Sequence, residues 1–169
     1  MSGIYIHIPF CKQACHYCNF YFTTSKANKD KLLDAIVLEI ESAIHFLPAR
    51  HFKTIYFGGG TPSFIELSDI AKIMKAIQSH YSLENLQEVT LEANPDDITM
   101  EKLLGWRELG INRLSIGVQS FEDRELSLMN RSHQAAQAEQ SILMAQDAGF
   151  DNISIDFIYG LPASTQESW

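Results

Sequence analysis

Long hydrophobic runs are missing from this chain. No window approaches the roughly 18 consecutive apolar residues of a membrane-spanning helix, and the start Met-Ser-Gly-Ile-Tyr has no basic segment followed by an apolar stretch. Basic charge is also scarce: Lys and Arg total 13 against 21 Asp and Glu, a formal net charge of −8. Long-range electrostatics therefore disfavour nucleic acid or an anionic membrane as partner. Internal repeats, linkers and low-complexity tracts are absent, so the 169 residues, 46% hydrophobic and 20% charged, are expected to form one soluble domain around one substantial core. Cysteine is limited to three residues, and a cytoplasmic location, where thiols stay reduced, is expected.

Those three cysteines are concentrated. Cys11, Cys15 and Cys18 lie within eight residues at spacing C-x3-C-x2-C, directly after the apolar run Ile4 to Ile8. An odd number cannot pair off completely as disulfides, and thiols on one loop can converge on one metal centre. Structural zinc normally takes four protein ligands, which would require His7 or His16 to complete the set. Three thiolates suit a 4Fe-4S cluster with one iron left open for a small chelating ligand. Incidental thiols are the bland alternative.

Around this loop, short β-branched or aromatic runs alternate with segments of helical period, the pattern of βα units and a parallel sheet. Strands are expected at Ile4–Ile8, Lys53–Phe57, Glu88–Glu92, Arg113–Val118 and Asn152–Ile158. Helices are expected through Leu32, Leu33, Ile36, Val37, Ile40, Ile44 and Leu47 up to Pro48, over Leu67–Ile77, from an N-cap at Thr99 to Leu109-Gly110, briefly over Leu126–Met129, and over Ala135–Ala148. A capping box at Ser164-Thr-Gln-Glu167 announces one more, close to Trp169. Five such units predict an α/β fold, an open partial TIM-type barrel whose remaining strands are expected beyond Trp169.

In such a barrel, polar residues at the C-terminal ends of strands converge on one rim. Tyr5 and His7 precede the cysteine loop, Gly58-Gly-Gly-Thr61 follows the second strand, and Glu92, Gln119 and Asp156 accompany the next three. Each has a structural alternative: a core histidine, a packing aromatic, a tight turn, a buried hydrogen-bond partner. Three glycines after a strand also permit close backbone approach to a ligand, with N–H groups free to bind a carboxylate.

Cys11-x3-Cys15-x2-Cys18 with Tyr17, followed by Gly58-Gly-Gly-Thr-Pro62, resembles the radical SAM enzymes. Tyr5-Ile-His-Ile-Pro-Phe-Cys11, Glu92-Ala-Asn-Pro95, Ser115-Ile-Gly-Val-Gln-Ser-Phe121, Asn130-Arg131 and Asp156-Phe-Ile-Tyr-Gly-Leu-Pro162 are similar to the branch that holds oxygen-independent coproporphyrinogen III oxidases and heme chaperones. Six ordered motifs are far more specific than the cysteine spacing by itself. The resemblance implies a radical SAM core domain over residues 1–169, incomplete at its C-terminal end. It implies a 4Fe-4S cluster on Cys11, Cys15 and Cys18, with S-adenosylmethionine chelating the fourth iron and cleaved to a 5′-deoxyadenosyl radical. It further implies that Gly59, Gly60 and Thr61 approach the methionine end, that Glu92, Gln119, Arg131 and Asp156 hold its charged groups and ribose, and that Tyr5 lies against both groups.

Two departures separate the relatives. Phe20 stands where the oxidases of this branch carry a fourth cysteine, and only four residues precede Tyr5. Both resemble the heme chaperones, implying heme as cargo handed to an acceptor. The alternatives are an oxidase acting on a porphyrinogen and an electron-transfer module that uses no S-adenosylmethionine. The electron donor and heme acceptor carry no signature here, and His7, His16, His45, His51, His80 and His133 show no spacing that marks a heme ligand.

Overall fold

The computed structural model describes residues 2–46, 51–162 and 164–166. Five strands, β1 (Gly3–Ile8), β2 (Thr54–Gly59), β3 (Glu88–Ala93), β4 (Arg113–Gln119) and β5 (Asn152–Phe157), form one sheet in that order. All four pairings are parallel. Helices α1 (Lys29–Ala43), α2 (Leu67–His80), α3 (Met100–Glu108), α4 (Asp123–Leu128) and α5 (Ala135–Asp147) connect them. The chain is an α/β fragment of a TIM-type barrel, open between β1 and β5.

Register explains where the core and the site lie. The row Ile6, Phe57, Leu91, Leu114 and Ile153 points to the helices. Its first four members are buried and pack with Ile70, Ile73, Leu103 and Trp106. The alternate rows, such as Tyr5, Tyr56, Thr90 and Arg113 or Glu92, Ser115 and Ser154, point to the other face. Parallel strands buried on both faces usually read as continuous apolar runs; here alternation leaves a polar concave face, so the barrel interior is a cleft.

The strands sit where alternation places them, and several ends differ by one or two residues. β2 continues through Gly59 because Gly58 and Gly59 pair with His7 and Ile8, so two of the three glycines are strand rather than turn. A Cβ at Gly59, where φ is +114°, would lie 2.6 Å from the His7 ring. The short helix starts earlier, at Asp123, and ends at Leu128. The first helix begins at Lys29 and ends at Ala43; the Leu47-Pro48 stop falls outside the described residues, as does Glu167 of the capping box. Thr99 caps α3 as expected, its Oγ1 accepting from Lys102 N at 3.2 Å, and Gly110 follows with φ +87°. Among the described residues no helix is long and apolar enough to cross a membrane.

Candidate functional site

The cysteine loop leaves β1 and folds over the C-terminal ends of β2, β3 and β4. Its entry is fixed by backbone bonds from Gly60 N to Ile8 O (2.8 Å), Thr61 N to Phe10 O (2.9 Å) and Cys11 N to Thr23 O (3.0 Å). A Cβ at Gly60 would lie 2.7 Å from the Pro9 carbonyl carbon and 3.0 Å from Cys11 Sγ, so glycine there lets two chain segments touch. The far half of the loop is tied to the end of α4. Gln13 Nε2 donates to Asn130 O at 2.6 Å, Asn130 Nδ2 donates to Ala14 O at 2.7 Å, and His16 N donates to Met129 O at 3.1 Å. His16 Nδ1 lies 2.9 Å from Leu128 O. Lys12 reaches Asp96 at 2.5 Å, and Ser132 Oγ donates to the same carboxylate at 2.8 Å.

Under the loop lies a cleft of about 200 Å³ lined by Cys11, Cys15, Cys18, Gly59, Gly60, Thr61, Glu92, Gln119, Arg131 and Asp156, all anticipated in the sequence. Tyr5 is placed beside the cleft, not in its wall: its ring stacks on Tyr56 at 6.0 Å, and its hydroxyl meets His7 Nδ1 at 3.2 Å. Neither His7 nor His16 lines the cleft: His7 Nε2 lies 3.3 Å from Tyr21 O and His16 Nδ1 faces Leu128 O. His133 is buried, with Nε2 3.0 Å from Val118 O; burial pushes its pKa down and the nearby Arg131 adds to this.

Each wall residue has a defined task in the geometry. Glu92 accepts from Tyr56 Oη at 2.7 Å and from Gly59 N at 3.0 Å, leaving an anionic patch at the end of β3. Burial, reinforced by the Glu92 bond and charge, pushes the Tyr56 phenol well up. Arg131 Nη2 donates to Asn94 Oδ1 and Gly117 O, both at 2.7 Å, while Nη1 approaches Cys15 Sγ at 3.5 Å and Tyr17 Oη at 3.2 Å. Its Nε is buried without a protein partner. Gln119 adopts φ +69° at an irregularity in the β4–β5 pairing, which turns its side chain back over Gly117. Asp156, exposed on β5, accepts from Ser115 Oγ at 3.3 Å.

The donor set fits an iron-sulfur cluster. Three part-buried thiols share one cleft, and burial pushes the Cys11 thiol up, opposed by the Thr61 hydrogen bond. Hydroxyl and guanidinium donors already point at two of the sulfurs, Thr61 Oγ1 to Cys11 and Arg131 Nη1 to Cys15, each at 3.5 Å. Among the described residues no three His, Cys, Asp or Glu side chains gather on a single ion position. A multi-iron cluster asks for one thiolate at each of three corners instead. The unpartnered Arg131 Nε and the Glu92 carboxylate offer complementary contacts for a zwitterion beside it. The glycine N–H groups are not free for a carboxylate as the sequence suggested: Gly59 donates to Glu92, Gly60 to Ile8 O and Thr61 to Phe10 O. Asn94, Gln13, Tyr17 and Phe20 also line the cleft. Asn94 sits inside the Glu92–Pro95 stretch but carries no chemical signature of its own, whereas Phe20 is the residue at the fourth-cysteine position.

Comparison with known proteins agrees with this geometry. The model of the radical SAM superfamily matches residues 5–169. Over 168 residues the chain is 42% identical to the heme chaperone HemW of Bacillus subtilis, covering 98% of this chain and 44% of that protein. It is 34% identical over 169 residues to oxygen-independent coproporphyrinogen III oxidase of Escherichia coli, covering 99% of this chain and 37% of the oxidase. A solved structure of coproporphyrinogen III oxidase (HemN) from Escherichia coli, described as a radical SAM enzyme, superposes with a TM-score of 0.89 at 33% identity, over 98% of this chain and 39% of that one. The chain thus spans less than half the length of each of these relatives.

Proposed function

Because the chain belongs to the radical SAM superfamily, within the branch shared by HemW and HemN, we propose that it carries the cluster-binding part of a heme chaperone. Cys11, Cys15 and Cys18 hold a 4Fe-4S cluster in this reading. Glu92 and the Gly59 to Thr61 backbone receive the amino-acid end of S-adenosylmethionine, Arg131 pairs with its carboxylate, and Gln119 and Asp156 take the ribose. When bound, these groups supply reductive cleavage of a carbon–sulfur bond. The protein's own part is to fix the thiolates, neutralise the carboxylate and hold the cleft closed under the cysteine loop.

Phe20 carries the choice of chaperone over oxidase. It stands where the oxidases of this branch carry a fourth cysteine, and it lines the cleft while remaining 76% exposed, an apolar ring facing any large planar ligand. The 42% identity to a protein named as a heme chaperone points the same way.

The test is anaerobic, on the full-length protein with its cluster reconstituted. Incubation with S-adenosylmethionine, reductant and coproporphyrinogen III should yield no protoporphyrinogen, whereas added heme should be bound and pass to an apo-acceptor. Catalytic formation of protoporphyrinogen would make it an oxidase. Cys15→Ser should abolish cluster loading, read as bound iron and sulfide; a fully loaded variant would remove that ligand assignment.

A further inference from the structure

Two of the three cluster cysteines receive a side-chain hydrogen bond, and one residue joins the two donors. Thr61 is buried, and its Oγ1 donates to Cys11 Sγ at 3.5 Å. The Arg131 guanidinium donates to Cys15 Sγ at the same distance. Asn94 lies between them: its Nδ2 donates to Thr61 Oγ1 at 3.4 Å and its Oδ1 accepts from Arg131 Nη2 at 2.7 Å. Asn94 is itself fixed by its backbone N–H, which donates to Ser63 Oγ at 3.1 Å, and Ser63 Oγ donates on to Asp97 at 2.8 Å.

The chemistry of this chain is directional. With one Thr61 lone pair occupied by Asn94 Nδ2, the hydroxyl proton is left to point at Cys11 Sγ. With Nη2 held by Asn94 and Gly117, the Arg131 fork is oriented so that Nη1 faces Cys15. Hydrogen bonds to cluster sulfurs stabilise the more negative, reduced state and so raise the reduction potential.

We propose that Asn94 is a positioning residue that sets the cluster's reduction potential by aiming Thr61 at Cys11 and Arg131 at Cys15. The proposal rests on Cys11, Cys15 and Cys18 holding the cluster. Asn94 need touch neither the cluster nor S-adenosylmethionine for this role.

The measurement is an EPR-monitored redox titration of the reconstituted full-length protein without S-adenosylmethionine, so that loss of a ligand contact does not enter. Asn94→Ala should load its cluster and titrate at a more negative midpoint. At a poise fixed on the wild-type midpoint the oxidised-to-reduced ratio should rise roughly tenfold, about 59 mV for a one-electron couple. An unchanged midpoint in loaded Asn94→Ala overturns the proposal. Should that variant not retain a cluster, Asn94→Asp keeps the shape and the acceptor for Arg131 but loses the donor to Thr61. Its added charge lowers the midpoint equally with or without the Thr61 hydroxyl. A drop that shrinks when measured in a Thr61→Ala background therefore supports the relay, and an equal drop in both backgrounds overturns it. A wild-type protein that loads no cluster would instead overturn the ligand assignment beneath it.

Discussion

Glu92 shows how one side chain can organise a strand end. Its two carboxylate oxygens are divided between the Tyr56 hydroxyl and the Gly59 N–H, which fixes the glycine backbone facing the cleft. Burial and then Glu92 keep the Tyr56 phenol protonated above its ordinary value of 10.0. The folded pKa is raised, so the stabilisation is full below about pH 10 and is lost as pH climbs through the folded value. Glu92→Gln should bring the Tyr56 titration down toward pH 10, seen as phenolate absorbance of metal-free protein with Tyr56→Phe subtracted. Superimposable curves for wild type and Glu92→Gln would sink the assignment. Glu92 was legible because it ends an alternating strand run. The role of Asn94 was not, since an amide is informative only once its two neighbours are placed, and those lie 33 and 37 positions away.

The cysteine loop has no regular structure of its own beyond one isolated bridge, Phe10 with Thr23, and its shape is borrowed from its neighbours. The loan comes mainly from the turn after α4. Asn130 sits at φ +56°, a left-handed conformation that asparagine tolerates better than most residues, and its side chain reaches back to Ala14 O. Asn130→Val, which is β-branched and cannot donate, should cost about 1–3 kcal/mol in urea unfolding of the apo-protein. Asn130→Gly accepts the backbone angle and loses only the side-chain bond, so about 1 kcal/mol is expected. Equal losses in the two variants would show that the angle does not matter. Strands and helices were legible because hydrophobic period is local: Ile4, Ile6 and Ile8 announce a strand within six residues. The β4 irregularity with Gln119 at positive φ was not, because a polar residue of ordinary type there carries no local signal. The ends of β2 were misjudged for a related reason, since glycine reads as turn until the close approach of His7 explains it.

Strand order along the sheet equals strand order along the chain, so each strand's partner is the one before it. Such a sheet can be assembled in the order of synthesis, each new βα unit adding to the edge left by the last. The thiols follow a different clock. Cys11 to Cys18 emerge before any of the helices, yet the bonds that shape the far half of their loop come from partners 112 to 117 positions later. A nascent chain would therefore display its cysteines long before it owns the mould that arranges them. Ribosome-arrested chains in which residues 128–132 have not emerged should gain no protection from cysteine alkylation on iron-sulfide reconstitution. Longer ones should gain it abruptly, and full protection in the shorter chains would refute this ordering. On the ligand assignment proposed above, cofactor loading is deferred until four of these five strands exist, which would make acquisition of iron a report that this part of the polypeptide has folded.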